Sequence, residues 1–307
     1  MKNLLSSVAL LAAAALLPFA SQAQSFRTYL ASYGSDANAG CTVTAPCRLL
    51  PAALNAVLDG GEIWILDSAN YNAGTVNITK SVSILAVPGQ IASVVAVGGT
   101  EAINISTSGV KVALRNIVIP KNANNPGSNG IVMTNGSLLS IEDCLFANLA
   151  AVAVYVHDTT ANVQVKNSVF RNIGSFAIQV QNGPTAVIAN SQFLTTEGLV
   201  AYGTAVSTTS LTVSESTISN GSEGVWAYST VAGAVVRAYV MHNTIHAIRY
   251  SLESDVTGGG NAAMFAGGNK VAGIYNWWIS GGLIYSYGNN EFASPNASGT
   301  LTPVSRQ

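Results

Sequence analysis

IEDCLF at 141–146, VKNSVF at 165–170, IANSQF at 188–193, VSESTI at 213–218 and VMHNTI at 240–245 share one cadence. An apolar residue opens each block, another closes it five positions later, and small or polar residues stand between them. The blocks recur roughly every 24 residues, a period that marks repeat architectures. Strand side chains alternate between faces, so two positions five apart cannot both point inward along one straight strand. If both are core, the chain kinks between them, and Asn, Asp and Ser are residues a tight turn tolerates. Strand, two-residue turn, strand, repeated once per coil, describes a parallel β-helix.

A second β-rich segment follows each block, at 152–156, 176–180, 199–202 and 225–228, with Gly, Ser, Thr and Asn loops around it. Weaker copies of the block begin at Asn116, Asn269 and Asn290. Stacked coils pair each strand with its copies above and below, which satisfies the backbone and buries the bracket residues. Asn243, Asn269 and Asn290 are then expected to form a ladder continuing the line of Cys144, Ser168, Ser191 and Ser216. An α-solenoid is the competing repeat, but the Thr, Val and Gly content with period-two patterning opposes it.

Composition agrees with many short strands and turns. Charged residues are 9% of 307, where about a quarter is usual. Residues 1–23 read as a cleaved export signal: Lys2 is the positive start, Leu4 to Leu17 the apolar run, and Ser21-Gln22-Ala23 the cleavage site. The apolar run is short for a retained membrane helix, so a periplasmic or extracellular chain beginning at Gln24 is expected, with no membrane span. Losing Lys2 leaves 12 of the 13 basic groups against 14 acidic ones, a net charge of −2. No Lys/Arg cluster stands out, which argues against a nucleic-acid partner.

Cys41 and Cys47 are placed to staple a small loop after export, whereas Cys144 falls at a buried ladder position. No residue set suggests a zinc site or a cofactor. The stretch 48–58 (RLLPAALNAVL) has helical spacing and precedes Gly60-Gly61, predicting a short helix that caps the open end of the solenoid. The layout is therefore a leader at 1–23, a cap at 24–60, about ten coils over 61–295 and a tail at 296–307.

The run Gly34-Ser35-Asp36, Cys41, Pro46-Cys47-Arg48, Ala52-Ala53 and Gly60-Gly61-Glu62-Ile63, followed by 76–84 (VNITKSVSI), resembles the opening of secreted bacterial β-helix repeat proteins of the pectin-lyase-like superfamily. The resemblance implies a right-handed parallel β-helix with three-strand coils, and with the short helix read at 48–58 the expected fold is an all-β solenoid with an N-terminal capping helix. It implies no single activity, since the superfamily holds lyases, hydrolases, esterases and adhesins.

Lyases of that superfamily hold calcium with carboxylates and use Arg or Lys as base, and its hydrolases use clustered Asp. No Asp-Asp pair or dense acidic cluster is evident, so calcium is expected only if the chain is a lyase. The catalytic candidates are Glu197 and Glu223, which follow their blocks by four and five residues, and Glu215 with His242, which share the kink position on consecutive coils. Solvated turn carboxylates and a structural ion pair are the plainer readings of these two sets.

If Val154, Ile178, Ala201 and Val225 point inward, Tyr155, Gln179, Tyr202 and Trp226 form an outward column, flanked by Tyr228 and continued by Arg249. Such a strip can stack on sugar rings and hydrogen-bond hydroxyls. Tyr275, Trp277, Trp278 and Tyr285 read as a C-terminal cap. Two functions remain: an exported, non-catalytic β-helix binding a polysaccharide or cell-surface glycan, or a polysaccharide lyase or glycoside hydrolase acting on an acidic or plant-type polysaccharide.

Overall fold

The computed structural model describes residues 24–304, and the leader expected at 1–23 lies outside the described residues. The chain forms a right-handed parallel β-solenoid of about 9 turns. Three sheets run its length. The first has 12 strands, from Ser25–Leu30 to Thr302–Pro303. The second has 10, from Ala69–Asn70 to Glu291–Phe292, and the third has 9, from Val76–Asn77 to Tyr275–Ser280. One coil passes through Leu138–Glu142, Leu145–Ala147 and Val154–His157 before Asn162–Lys166 opens the next.

The six-residue blocks are the corners between the first and second sheets. Asp143, Asn167, Asn190, Glu215 and His242 have φ of 54°, 52°, 49°, 49° and 58°, the left-handed conformation that turns the chain. Asn and Asp adopt it more readily than other side chains. At each corner the following residue turns its N–H inward. The N–H groups of Cys144, Ser168 and Ser191 donate to the hydroxyls of Ser168, Ser191 and Ser216, one coil onward, at 3.1–3.2 Å. Ser216, Asn243 and Asn269 donate in the same way to the amide oxygens of Asn243, Asn269 and Asn290. Each hydroxyl returns its proton to a backbone carbonyl two residues back, and each Asn amide to a carbonyl of the neighbouring coil. The expected Cys/Ser/Asn ladder is thus a continuous hydrogen-bonded column. Cys144 is buried within it, and burial pushes its thiol up to about 12.

The closing residues of the blocks stack in register: Phe146, Phe170, Phe193, Ile218 and Ile245, all buried. The Phe146 and Phe170 rings are 4.7 Å apart and Phe170 and Phe193 4.9 Å, both near parallel. Ile141, Val165, Ile188, Val213 and Val240 stack beside them from the first sheet.

At the N-terminal end, helix Leu50–Ala56 buries Leu50, Ala53, Leu54 and Ala56. Asp36 Oδ1 accepts the N–H groups of Arg48 and Leu49, both at 2.8 Å, and fixes the chain just ahead of the helix. The helix is shorter than the expected 48–58, because Val57 already enters strand Val57–Ile65. Gly60 and Gly61 therefore do not stop the helix. They form a bulge in that strand, where a Cβ on Gly61 would lie 2.4 Å from the Phe26 carbonyl oxygen.

Strands Ser25–Leu30 and Thr302–Pro303, in the segments assigned to the cap and the tail, join the first sheet. A Cys41–Cys47 disulfide closes the loop after the first strand. Beneath it, Asp67 accepts from the Ser32 N–H at 2.8 Å and from the Ser32 and Tyr71 hydroxyls. Burial pushes the Asp67 carboxyl up, but those hydrogen bonds outweigh it and hold the group below its usual range.

Phe170→Ala removes the middle ring of the stack between two fixed neighbours and is expected to cost about 3–5 kcal/mol of stability. Chemical denaturation of the two proteins measures the difference, and a loss under about 1 kcal/mol would mean the stack is not the core.

Candidate functional site

The outward face of the third sheet carries Tyr155, Gln179, Tyr202, Trp226 and Tyr228 together with His157, Glu253 and Asp255. Register divides them into two columns. Tyr155, Gln179, Val200, Trp226, Glu253 and Trp278 form one. His157, Gln181, Tyr202, Tyr228 and Asp255 form the other. Tyr202 points outward as expected but stands one column over, because Leu199 rather than Ala201 pairs with Ile178 and Val225. Buried Val200 fills the place assigned to Tyr202. Arg249 does not continue the line either. Glu253 takes that position, and the Arg249 guanidinium lies 4.6 Å over the Tyr250 ring at the strand's start.

The upstream half of the face is an amide and phenol network. Tyr155 donates to Gln181 Oε1 at 2.9 Å, Gln179 donates to the same oxygen at 3.0 Å, and Gln181 donates to Thr204 at 3.0 Å. The His157 imidazole stacks on Tyr155 at 4.2 Å and hydrogen-bonds Asp158 at 2.7 Å. The His157 bond and one from Asn182 hold the Asp158 carboxyl below its usual range.

The downstream half is aromatic. Tyr202 and Tyr228 stack at 5.0 Å, and Tyr228 and Trp226 at 4.7 Å, all within 9° of parallel. These rings largely cover one another's faces, so they offer solvent ring edges and phenol hydroxyls more than a flat platform.

Glu253 and Asp255 lie beyond Trp226 on strand Tyr250–Val256, two residues apart and so on one face. Glu253 stands in register between Trp226 and Trp278 and is only 6% exposed. Burial, a hydrogen bond to Asp255 and repulsion from Asp255 and Glu223 push its carboxyl up to about 9. Burial also raises Asp255, though hydrogen bonds from Glu253 and the Trp226 indole N–H, the latter 3.1 Å from Oδ2, pull it back. Asp255 Oδ1 is buried with no well-aligned N–H or hydroxyl donor. The upward push on Glu253 favours its protonated form beside Asp255.

Sequence reading missed this pair, since it is legible only as Glu-x-Asp with strand parity and not as adjacent acids. It also missed His157 and Gln181, and it assigned Trp278 to the end cap. Trp277 does pack at that end, edge-on to Phe292 at 4.8 Å, but Trp278 and Tyr275 turn to the third-sheet face beside Tyr250. Tyr285 stacks on Phe265 of the first sheet.

The four catalytic candidates separate. Glu197 and Glu223 lie level on adjacent coils, two residues before the paired Leu199 and Val225, and each is hydrogen-bonded to a serine hydroxyl, Ser175 and Ser222. No hydrogen bond or ion pair joins Glu215 to His242. Both serve as corner residues, and the His242 imidazole lies over Gly268, where an added Cβ would meet Nδ1 at 2.5 Å. Among the described residues, no group of three or more His, Cys, Asp or Glu is placed to hold a metal ion. No helix among them is long and apolar enough to cross a membrane.

A family model described as "Right handed beta helix region" matches residues 101–293, more than half the chain. The chain belongs to this right-handed β-helix family. Among curated proteins, none matches it. Three solved structures share the fold at low identity. The pectate lyase Pel9A is 13% identical with a TM-score of 0.58, and the match covers 92% of this chain and 79% of that one. XylC, solved with xylose, is 9% identical at 0.57 and covers 86% and 69%. An alginate lyase from Paenibacillus is 11% identical at 0.53 and covers 91% and 100%. These β-helix proteins establish the shared architecture of the solenoid.

The raised carboxyls give a pH dependence with a definite sign. The folded protein holds a proton that the unfolded chain releases in the ordinary carboxyl range, so this contribution is full below that range and is lost as pH rises through about 9. Glu253→Gln keeps an N–H donor for Asp255 and cannot ionise. Denaturation between pH 5 and 9 is expected to show a flatter decline in that variant than in the wild type, and equal slopes would refute the shared proton.

Proposed function

We propose that the protein is an exported glycan-binding β-helix whose third-sheet face holds an extended polysaccharide along the solenoid axis. The carrying observation is the set of half-exposed phenols, an amide and an indole spread over the two outward columns: Tyr155, Gln179, Tyr202, Trp226 and Tyr228. Strands stack about 4.8 Å apart, a spacing comparable to the rise of one sugar in an extended chain. Each coil therefore presents a hydrogen-bonding group or ring edge to successive sugars. The appearance of two polysaccharide lyases and a xylose complex among proteins of the same fold agrees with a carbohydrate ligand. Contacts on an open, convex face give modest affinity.

One observation favours a second reading, a polysaccharide lyase or glycoside hydrolase: Glu253 and Asp255 lie two residues apart on one face, with the Glu253 carboxyl pushed up to about 9. Trp226 and Trp278 flank it, and a substrate would have to displace them to reach it. Calcium enters only under this reading.

Tyr228→Ala and Trp226→Ala are each expected to weaken retention on a bound polysaccharide by about tenfold, the loss of one aromatic contact. Trp226→Ala also removes the donor to Asp255, so thermal unfolding is measured alongside. Glu197→Gln and Glu223→Gln should leave binding unchanged. Release of reducing ends or unsaturated products that Glu253→Gln abolishes would replace the binding reading with the enzymatic one.

Export is proposed on the leader pattern at 1–23. The mass of protein recovered outside the cytoplasm is expected to correspond to a chain beginning at Gln24, and a retained Met1 would refute cleavage.

A further inference from the structure

Resting on the glycan-binding reading above, the charge distribution narrows the class of glycan. The nine strands of the third sheet contain no Lys or Arg. Their charged or titratable acid and imidazole groups are His157, Glu223, Glu253 and Asp255. His157 is engaged by Asp158, and Glu197 adds a further carboxylate beside Glu223. The nearest cation on the downstream half, Arg249, sits over Tyr250 and already acts on Glu253. Cations are present elsewhere in the solenoid: Arg27, Lys111, Arg115, Lys166 and Arg237 on the first sheet, and Arg171 and Lys270 on the second. Their segregation leaves one face with phenols, amides, indoles and acids.

We infer that this face takes a neutral, hydroxyl-rich polysaccharide and rejects polyuronates. A uronate held near Glu223, or near Glu197 beside it, meets a like charge, and that repulsion is stronger at a protein surface than in bulk water. The penalty falls on the downstream coils, and no Lys or Arg in the strands of this face offsets it. Neutral sugars meet no such penalty, and their hydroxyls match the donors and acceptors of Gln179, Gln181, Tyr202 and Tyr228.

The test compares the full chain and its Tyr228→Ala variant on xylan and glucan, and on polygalacturonate and alginate with and without calcium, at low and high salt. Retention on a neutral polymer is expected, changing less than about twofold with salt because screening does not act on an uncharged ligand, with no retention on either polyuronate. Polyuronate binding that Tyr228→Ala weakens, with or without calcium, overturns this inference and keeps the glycan-binding reading. Binding to neither class, or binding indifferent to Tyr228→Ala, sinks the glycan-binding reading and the inference with it.

Discussion

At each corner between the first and second sheets the backbone turns one N–H group toward an interior without water, where no strand can accept it. An unpaired buried amide costs about 1–3 kcal/mol, and the solenoid has such a corner in coil after coil. The solution is one small oxygen-bearing side chain per coil, from Ser168 to Asn290, placed to accept the amide of the coil before it. Because each ladder residue accepts the amide of its counterpart on the coil before, the contact fixes coil-to-coil register wherever it occurs. The Phe146, Phe170 and Phe193 rings stack near parallel because the ladder two residues earlier has already set their height.

Register at the corners then propagates unevenly. The first two sheets follow the ladder closely and were legible in the sequence down to individual pairs. The third sheet follows a loop whose length varies. From Phe146 to Val154 and from Phe170 to Ile178 the chain takes eight residues, but from Phe193 to Leu199 only six. A two-residue difference preserves which side chains face outward and moves them by one column. Tyr202 therefore faces solvent as expected yet stacks on Tyr228 instead of standing between Gln179 and Trp226. Strand parity is local and readable, whereas lateral position depends on loop geometry that no periodicity encodes.

The same distinction explains why the carboxyl pair escaped a reading based on motifs. Glu253 and Asp255 are separated by a serine, and their chemistry arises from what covers them: Trp226 from the coil before and Trp278 from the coil after. Burial that makes one acid hold its proton requires neighbours about 25 residues away in sequence to arrive at one column. Conversely, Glu215 and His242 share a sequence position that suggests a dyad, but that position is a corner whose backbone role sets their placement.

A solenoid of this kind assigns its chemistry by face. All three sheets share one apolar interior, so selection acts on outward residues with little consequence for the core, and each face can carry its own charge pattern. Arg115 on the first sheet lies within ion-pair distance of Glu142 and Asp143, a solvated arrangement that contributes little to stability. On the third sheet, the carboxyls Glu253 and Asp255 persist where no cation pairs them and burial makes one of them costly to ionise. The outward positions next to them in register hold Trp226, Tyr228 and Trp278, none of them a cation. Aromatic rings at these positions set the third-sheet face apart by charge from the first sheet, whose strands carry Arg27, Lys111, Arg115, Lys166 and Arg237.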